Sequence, residues 1–452
     1  MEQRLKFIER LYFPWVRGGN SLLFDRTPAT LYHGEVKHSS QAFHPATHAS
    51  HAQGALAAKQ IRELIRAGFI TGAEAKNVRP ASLDLSLSSE VYKVEGVFQP
   101  RPSETIRDIM KLIKKVKHDI NEPLERDAIY LARLNEKLSL PESVYGYCNP
   151  KSSSGRVDLH VRILTDGVSR YDAAGKGYKG ELWIVMQPKS FPVKVAQGLC
   201  LSQLRLFNSD TRFNELDLEI AMREHKLLWR QKEKKPLDYS EIKIRDNDGS
   251  LILTLDFSGK LLGYKCVCPD EVLDLTKVNH YDPSHYFVPM HSRDGYVTLK
   301  KGEFYILSTR EAVRVPPSLA CEMAPMDERS GDFRSHYAGF IDPGWGWGKK
   351  GEGVGRPLTL EVRPFEDLLV RHGQPVAKIK FEHMIEVPEL SYDALGSNYI
   401  SQYGPRLGKQ FKSGASKKAT KNTSKNTTKN STKKTNKNTM QKKLSPPSSK
   451  KS

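Results

Sequence analysis

The chain has few of the features that place a sequence quickly. Its five cysteines, an odd number at positions 148, 200, 266, 268 and 321 of 452 residues, make no disulfide framework and fit a reducing compartment. No window approaches the roughly eighteen consecutive apolar residues of a membrane span, and the N-terminus lacks the basic, apolar, small-residue order of a signal peptide. The expected location is the cytoplasm. No GxxxxGK[ST] loop occurs, and no GxGxxG follows a strand, so P-loop and Rossmann readings drop out. A zinc-deaminase signature is also missing. His33-Gly34-Glu35 has the H-x-E form, but Cys266-Val267-Cys268 lacks the two-residue spacer and the preceding proline. His44 and His48, four apart, lie in a His-rich run with no helical pattern, which reads as chance rather than a metal site.

Charge of one sign is missing from the end of the chain. From Lys412 to Ser452 there are 13 lysines and no Asp, Glu or Arg, so of the net +19 only +6 belongs to the first 411 residues. The tail repeats lysine at 421, 425, 429, 433 and 437 among Thr, Asn and Ser, offers no apolar face, and is expected to be disordered. A weak attraction to polyanions is its expected partner chemistry, and a solvated extension is the plainer reading.

What is present is a body of short alternating runs. Residues 1–54 begin with LKFIERLYF and pass into a His, Ala and Ser-rich run with no element pattern. GALAAKQIRELIRAGFI predicts a short amphipathic helix, and VRPASLDLSLSSEVYKV a half-buried strand. An internal repeat follows. YLARLNEKLSLP (130–141) and YILSTREAVRVP (305–316) share the spacing Tyr-x5-Glu-x4-Pro. Within fifteen residues of each proline comes Ser-x3-Arg after a basic residue, Lys151-Ser152 to Arg156 and Arg329-Ser330 to Arg334. GELWIVMQPKSFPV parallels GRPLTLEVRPFEDLLV, and each copy closes on a glycine and an apolar strand, GLCLSQLRLF or GQPVAKIKF. Two copies of this length make a duplicated pair of domains, not a stacking array. The helical pattern LDLEIAMREHKLLWRQKEK (216–234) is expected to link them. The predicted domains are thus 55–208 and 241–411, with 209–240 as helical linker and 1–54 and 412–452 as extensions.

The second copy carries the chemistry. A Pro-Gly turn between Asp342 and Trp345 suits a hairpin presenting a carboxylate, backbone groups and an aromatic face, as a nucleoside needs. In LTLEV, alternation puts Leu358, Leu360 and Val362 on one face and Glu361 on the other. Each piece alone is commonplace. Their order, repeated at matched spacing, is not.

The set Arg329-Ser330-x3-Arg334, Ile341-Asp342-Pro343-Gly344-Trp345, Leu360-Glu361 and Tyr399-x2-Gln402-x-Gly404-Pro405 resembles the dCTP deaminases of the trimeric dUTPase-like superfamily, in the tandem form, over residues 55 to 411. The resemblance implies a mainly β fold of two dUTPase-like (β-clip) domains and hydrolytic deamination of dCTP to dUTP and ammonia. It implies Glu361 as general base then acid, and Ser330 with Arg334, or Ser152 with Arg156, positioning the water. Asp342 would hold the sugar beside Trp345. Arg329, Lys151, Ser153, Tyr399 and Gln402 would bind the triphosphate, which carries Mg²⁺; no catalytic metal is implied. It further implies a trimer-based homo-oligomer with sites between modules. A dUTP diphosphatase or bifunctional enzyme is the near alternative, and a non-catalytic nucleotide-sensing or nucleic-acid-binding protein the distant one.

The first copy departs from this pattern. Three residues before Pro188, where Glu361 precedes Pro364, stands Val185, and Glu181 lies roughly 13 Å further along the strand. Sites between modules, as the resemblance implies, would let one site combine Ser152 and Arg156 with Asp342 and Glu361 and leave the other pairing, Ser330 and Arg334 opposite Val185, inert; the sequence leaves open which Ser/Arg pair faces Glu361.

Overall fold

The computed structural model describes residues 52–291, 294–324, 326, 339–395 and 402–412. The tail from 413, the segment before 52, and Arg329, Ser330, Arg334 and Tyr399 lie outside the described residues, as do His33, His44 and His48. Among the described residues no helix is long and apolar enough to cross a membrane. The two modules lie within one compact unit.

Numbering the principal elements, the first module contains α1 (Ala58–Arg66), β1 (Leu83–Val94), α2 (Ile106–Leu112), β2 (Ile129–Ser139), β3 (Tyr145–Pro150), β4 (Leu159–Thr165), β5 (Lys179–Pro188) and β6 (Cys200–Phe207). Helix α3 (Glu215–His225) follows. The second module contains β7 (Ser250–Thr254), β8 (Gly263–Cys266), β9 (Tyr305–Val313), β10 (Leu319–Ala324), β11 (Phe340–Ile341), β12 (Arg356–Val362) and β13 (Pro375–His383). In the first module the strand order is β4-β5-β2-β1-β6-β3; in the second, β12 pairs β9, and β7-β13-β10-β11 form a separate sheet. The repeat is thus a repeat of pairings: β5 on β2 as β12 on β9, and β6 between β1 and β3 as β13 between β7 and β10.

The Tyr-x5-Glu-x4-Pro spacing has a structural cause. The hydroxyls of Tyr130 and Tyr305 each accept from the backbone N–H five residues earlier, at 3.0 and 2.8 Å. The carboxylate of Glu136 accepts from the N–H and hydroxyl of Ser86 at 2.9 and 2.8 Å, and Glu311 does the same for Thr254 at 2.7 and 2.7 Å. Each proline carbonyl then accepts from the N–H three residues on, closing a turn. A buried polar pair needs its partner in place, so the spacing persists in both copies.

Three expectations change. Strand β1 is not half-buried at its start: residues 83–88 are buried on both faces, and its polar side chains are satisfied within the module, Asp84 by Arg79 and Lys151, Ser86 by Glu136 and Ser88 by the Arg133 carbonyl. The linking helix ends at His225, where Lys226 takes a left-handed conformation; Leu228–Arg230 then joins the second module's sheet through β9. The Pro-Gly turn is not a hairpin either, since β11 pairs with β10 while β12 pairs with β9. The chain crosses between sheets at Pro343-Gly344, where Gly344 has φ of 90° and a Cβ would stand 2.4 Å from that of Ser391.

Candidate active site

The single turn Ser152–Gly155 in the first module ends at Arg156, whose N–H donates to the Ser152 carbonyl at 3.0 Å. One helical turn separates residues four apart, so the Ser152 hydroxyl and the Arg156 guanidinium come to one side. Facing them from the second module, β12 carries Thr359 and Glu361 toward a cavity of about 340 Å³ while Leu360 and Val362 join the core behind and Leu358 touches both. Arg156 Nε stands 3.5 Å from Glu361 Oε1. Lys151, Ser153, Asp342, Trp345 and Gln402 line the same cavity. Of the two pairings open in the sequence, the chain brings together Ser152, Arg156, Asp342 and Glu361 across the module boundary.

The returning C-terminal segment completes the wall. Arg156 donates to Gln402 Oε1 at 2.9 Å and to the Arg406 carbonyl at 3.2 Å, and Gln402 Nε2 donates to the Pro357 carbonyl at 2.8 Å. Gln402 thereby ties the guanidinium to the strand bearing Glu361. On the other side, Trp345 packs against Tyr392, ring centroids 5.1 Å apart, and Arg356 holds Asp393 at 2.6 and 2.9 Å, fixing the 391–395 turn over the opening. Trp345 serves the core as well as the cavity.

Burial governs the acids. Glu361 is 3% exposed, and loss of hydration pushes its carboxyl up to about 7 against the pull of Arg156. Asp342 is likewise raised by burial, partly offset by Arg205, whose Nη2 donates to Asp342 Oδ1 at 3.3 Å. At the far end, Asp84 holds two cations: Arg79 Nε donates to its Oδ2 at 2.7 Å, and the Lys151 ammonium pairs with the same oxygen. Lys409 lines this end too, and burial lowers its ammonium, with Lys151 adding to the effect. Arg79, Asp84, Lys409, Thr359 and Tyr392 were not legible as site residues. Arg79 and Asp84 sit inside VRPASLDLSL, whose alternation reads as a half-buried strand with Asp84 on its polar face.

The first module's counterpart of this face is closed. Register makes Val185 and Glu361 equivalent, opposite Leu131 and Ile306, each one residue after the repeat tyrosine. Ile106 and Met110 of α2 pack onto Val185, Trp183 and Leu131 in an apolar cluster. Glu181 points elsewhere, into ion pairs with Arg107 and Lys137.

A family model for the 2′-deoxycytidine 5′-triphosphate deaminase N-terminal domain matches residues 52–210, and one for the C-terminal domain of the same enzymes matches 223–411. A curated relative from Methanothermobacter thermautotrophicus, "dCTP deaminase, dUMP-forming", is 27% identical over 181 residues, 38% of this chain and 83% of the relative. A crystal structure of 2′-deoxycytidine 5′-triphosphate deaminase from Agrobacterium tumefaciens matches with TM-score 0.67 and 34% identity, covering 75% of this chain and 100% of that one. With both domain models matched in order and a solved relative spanned from end to end, this chain belongs to the 2′-deoxycytidine 5′-triphosphate deaminases.

Proposed function

We propose that the chain deaminates dCTP hydrolytically to dUTP and ammonia at the cross-module cavity, with Glu361 as the proton carrier. The observation that carries this reading is the buried Glu361–Arg156 contact at 3.5 Å, with the carboxyl raised to about 7. A base works best with its pKa near the working pH, where it is ionised often enough to accept a proton and acidic enough to return it. Glu361 takes a proton from water as the oxygen attacks C4 of the cytosine. Ser152 and Arg156 orient that water and stabilise the charge that develops. Glu361 delivers that proton to the ring nitrogen, then takes the second from the new C4 hydroxyl and gives it to the amine, so that the C4 carbonyl forms as the C–N bond breaks and ammonia leaves.

Substrate recognition follows the cavity's polarity. Asp342 accepts from the sugar hydroxyl, and Trp345 with Tyr392 covers the apolar faces of the nucleoside. Lys151, Ser153, Arg79 and Lys409 meet the triphosphate, which brings Mg²⁺ as part of the substrate. Asp84 holds Arg79 and Lys151 side by side at that end of the cavity. Arg329, Ser330, Arg334 and Tyr399 enter this reading from the sequence alone. A trimer-based assembly of chains belongs to the same reading.

The name of the Methanothermobacter relative, a dUMP-forming dCTP deaminase, favours a second reading, in which dUTP is carried on to dUMP. Incubating the full chain with dCTP and quantifying ammonia, dUTP, dUMP and pyrophosphate separates the two. Ammonia with dUTP is expected. Ammonia with dUMP and pyrophosphate replaces the proposal by the bifunctional reading, and tight dCTP binding without ammonia replaces both by a nucleotide sensor.

A further inference from the structure

Arg205 neither lines the cavity nor takes part in the chemistry above, yet its guanidinium is engaged on several sides. It stands on β6 of the first module with no exposed surface. Nη1 donates to Glu382 Oε1 at 2.9 Å and to the Cys321 carbonyl at 3.0 Å; Nη2 donates to Asp342 Oδ1 at 3.3 Å; Nε donates to the Ala81 carbonyl at 3.3 Å. The Phe340 ring covers the guanidinium at 4.1 Å. Three of these four acceptors belong to the second module. The repeat shows that this is not a shared feature of the closing strand: seven residues after the opening glycine the second copy has Lys380, which pairs with Asp248 instead.

A guanidinium is a rigid planar fork, so anchoring its other N–H groups fixes the direction of the one that meets Asp342. The anchors are two backbone carbonyls, one from each module, and the buried Glu382 carboxylate. Asp342 follows a two-residue strand and precedes Pro343, and its carbonyl accepts from the Trp345 N–H at 3.1 Å, so the backbone places the residue while Arg205 meets its side chain.

We infer that Arg205 is a positioning residue for the reaction: from the opposite module it holds the Asp342 carboxylate by one oxygen, leaving the other to accept the 3′-hydroxyl of the substrate sugar. The inference rests on the assignment of Asp342 to the sugar made above. It assigns part of sugar recognition to a side chain that never touches substrate. It also makes docking of the two modules a condition for that recognition, since donor and acceptor arrive on different modules.

The test compares dCTP with its 3′-deoxy analogue, 2′,3′-dideoxycytidine triphosphate, in the full chain and in Arg205→Lys and Asp342→Asn. Lysine keeps the charge and loses the fork. Arg205→Lys is expected to lower kcat/KM for dCTP on the order of 10- to 100-fold, chiefly through KM, as a displaced contact does. Turnover of the dideoxy analogue stays within about threefold, because that substrate never used the contact. It also reports that the fold is intact, which a loss through misfolding would not spare. Arg205→Gln, uncharged and shorter, is the second variant should the lysine variant not fold, with the same expectation. If Asp342→Asn collapses the preference for dCTP and the Arg205 variants keep it, the inference is wrong while the reading of Asp342 stands. If Asp342→Asn keeps the preference, the reading of Asp342 fails and the inference fails with it.

Discussion

Replacing Glu361 by Gln keeps the side chain's shape and removes its proton chemistry, and the structure sets two magnitudes for the result. General acid–base catalysis contributes about 10²- to 10⁴-fold, so ammonia release from dCTP should fall by at least about 100-fold. The second magnitude is a stability that depends on pH. The Glu361 carboxyl is raised in the folded chain from its ordinary 4.5 to about 7, which corresponds to about 3 kcal/mol. Because the folded value lies above the unfolded one, the folded state holds the proton more tightly. That contribution is fully present below about pH 4.5 and lost as pH rises through about 7. Gln does not titrate, so the stability of the variant relative to the parent should rise by about 3 kcal/mol from pH 4.5 to above pH 7, then level off. Loss of the contact with Arg156 shifts that whole curve by a constant and leaves its slope. Denaturant melts at pH 5, 6, 7 and 8 on both proteins measure the difference, alongside ammonia release. Deamination within about tenfold of the parent, or a stability difference flat across this range, would refute the assignment of a raised, proton-carrying carboxyl.

Two further outcomes follow from the repeat. Glu136→Ala strands the buried N–H and hydroxyl of Ser86 and should cost about 2–4 kcal/mol in a denaturant melt, with KM for dCTP unchanged because Glu136 does not line the cavity; a large change in KM would show a role in the site. Val185→Glu should add no second site per chain, since α2 seals that face, and should destabilise by about 2–4 kcal/mol by placing a carboxyl among Ile106, Met110 and Trp183; active-site titration giving two sites per chain would contradict the closure.

Much of the fold was legible, and for identifiable reasons. Strand periodicity, turn residues and the matched Tyr-x5-Glu-x4-Pro copies are local patterns, so the tandem β organisation could be read off them. Turn-level chemistry was legible too, as with Ser152 and Arg156, whose spacing of four is itself one helical turn. Where side chains meet over a long sequence separation, the reading stopped. The hairpin expected at Asp342 became a crossover between sheets, because strand partners are chosen by the surrounding sheet and not by the turn. Asp84 looked like the polar face of a strand until Arg79 and Lys151 closed over it. Helix α2 gave no hint that Ile106 and Met110 would cover Val185.

By itself, then, the sequence determined the duplication, the presence of one Glu-bearing strand and one Val-bearing strand, and the spacing of four between Ser152 and Arg156. Each depends on neighbours a few residues apart, where backbone geometry leaves little choice. Only the tertiary structure decided that Arg156 of the first module faces Glu361 of the second, that Glu361 is buried enough to hold its proton near neutrality, and that Arg205 reaches Asp342. Those facts depend on which surfaces the two modules bury against each other, and burial sets both the contact and the acidity.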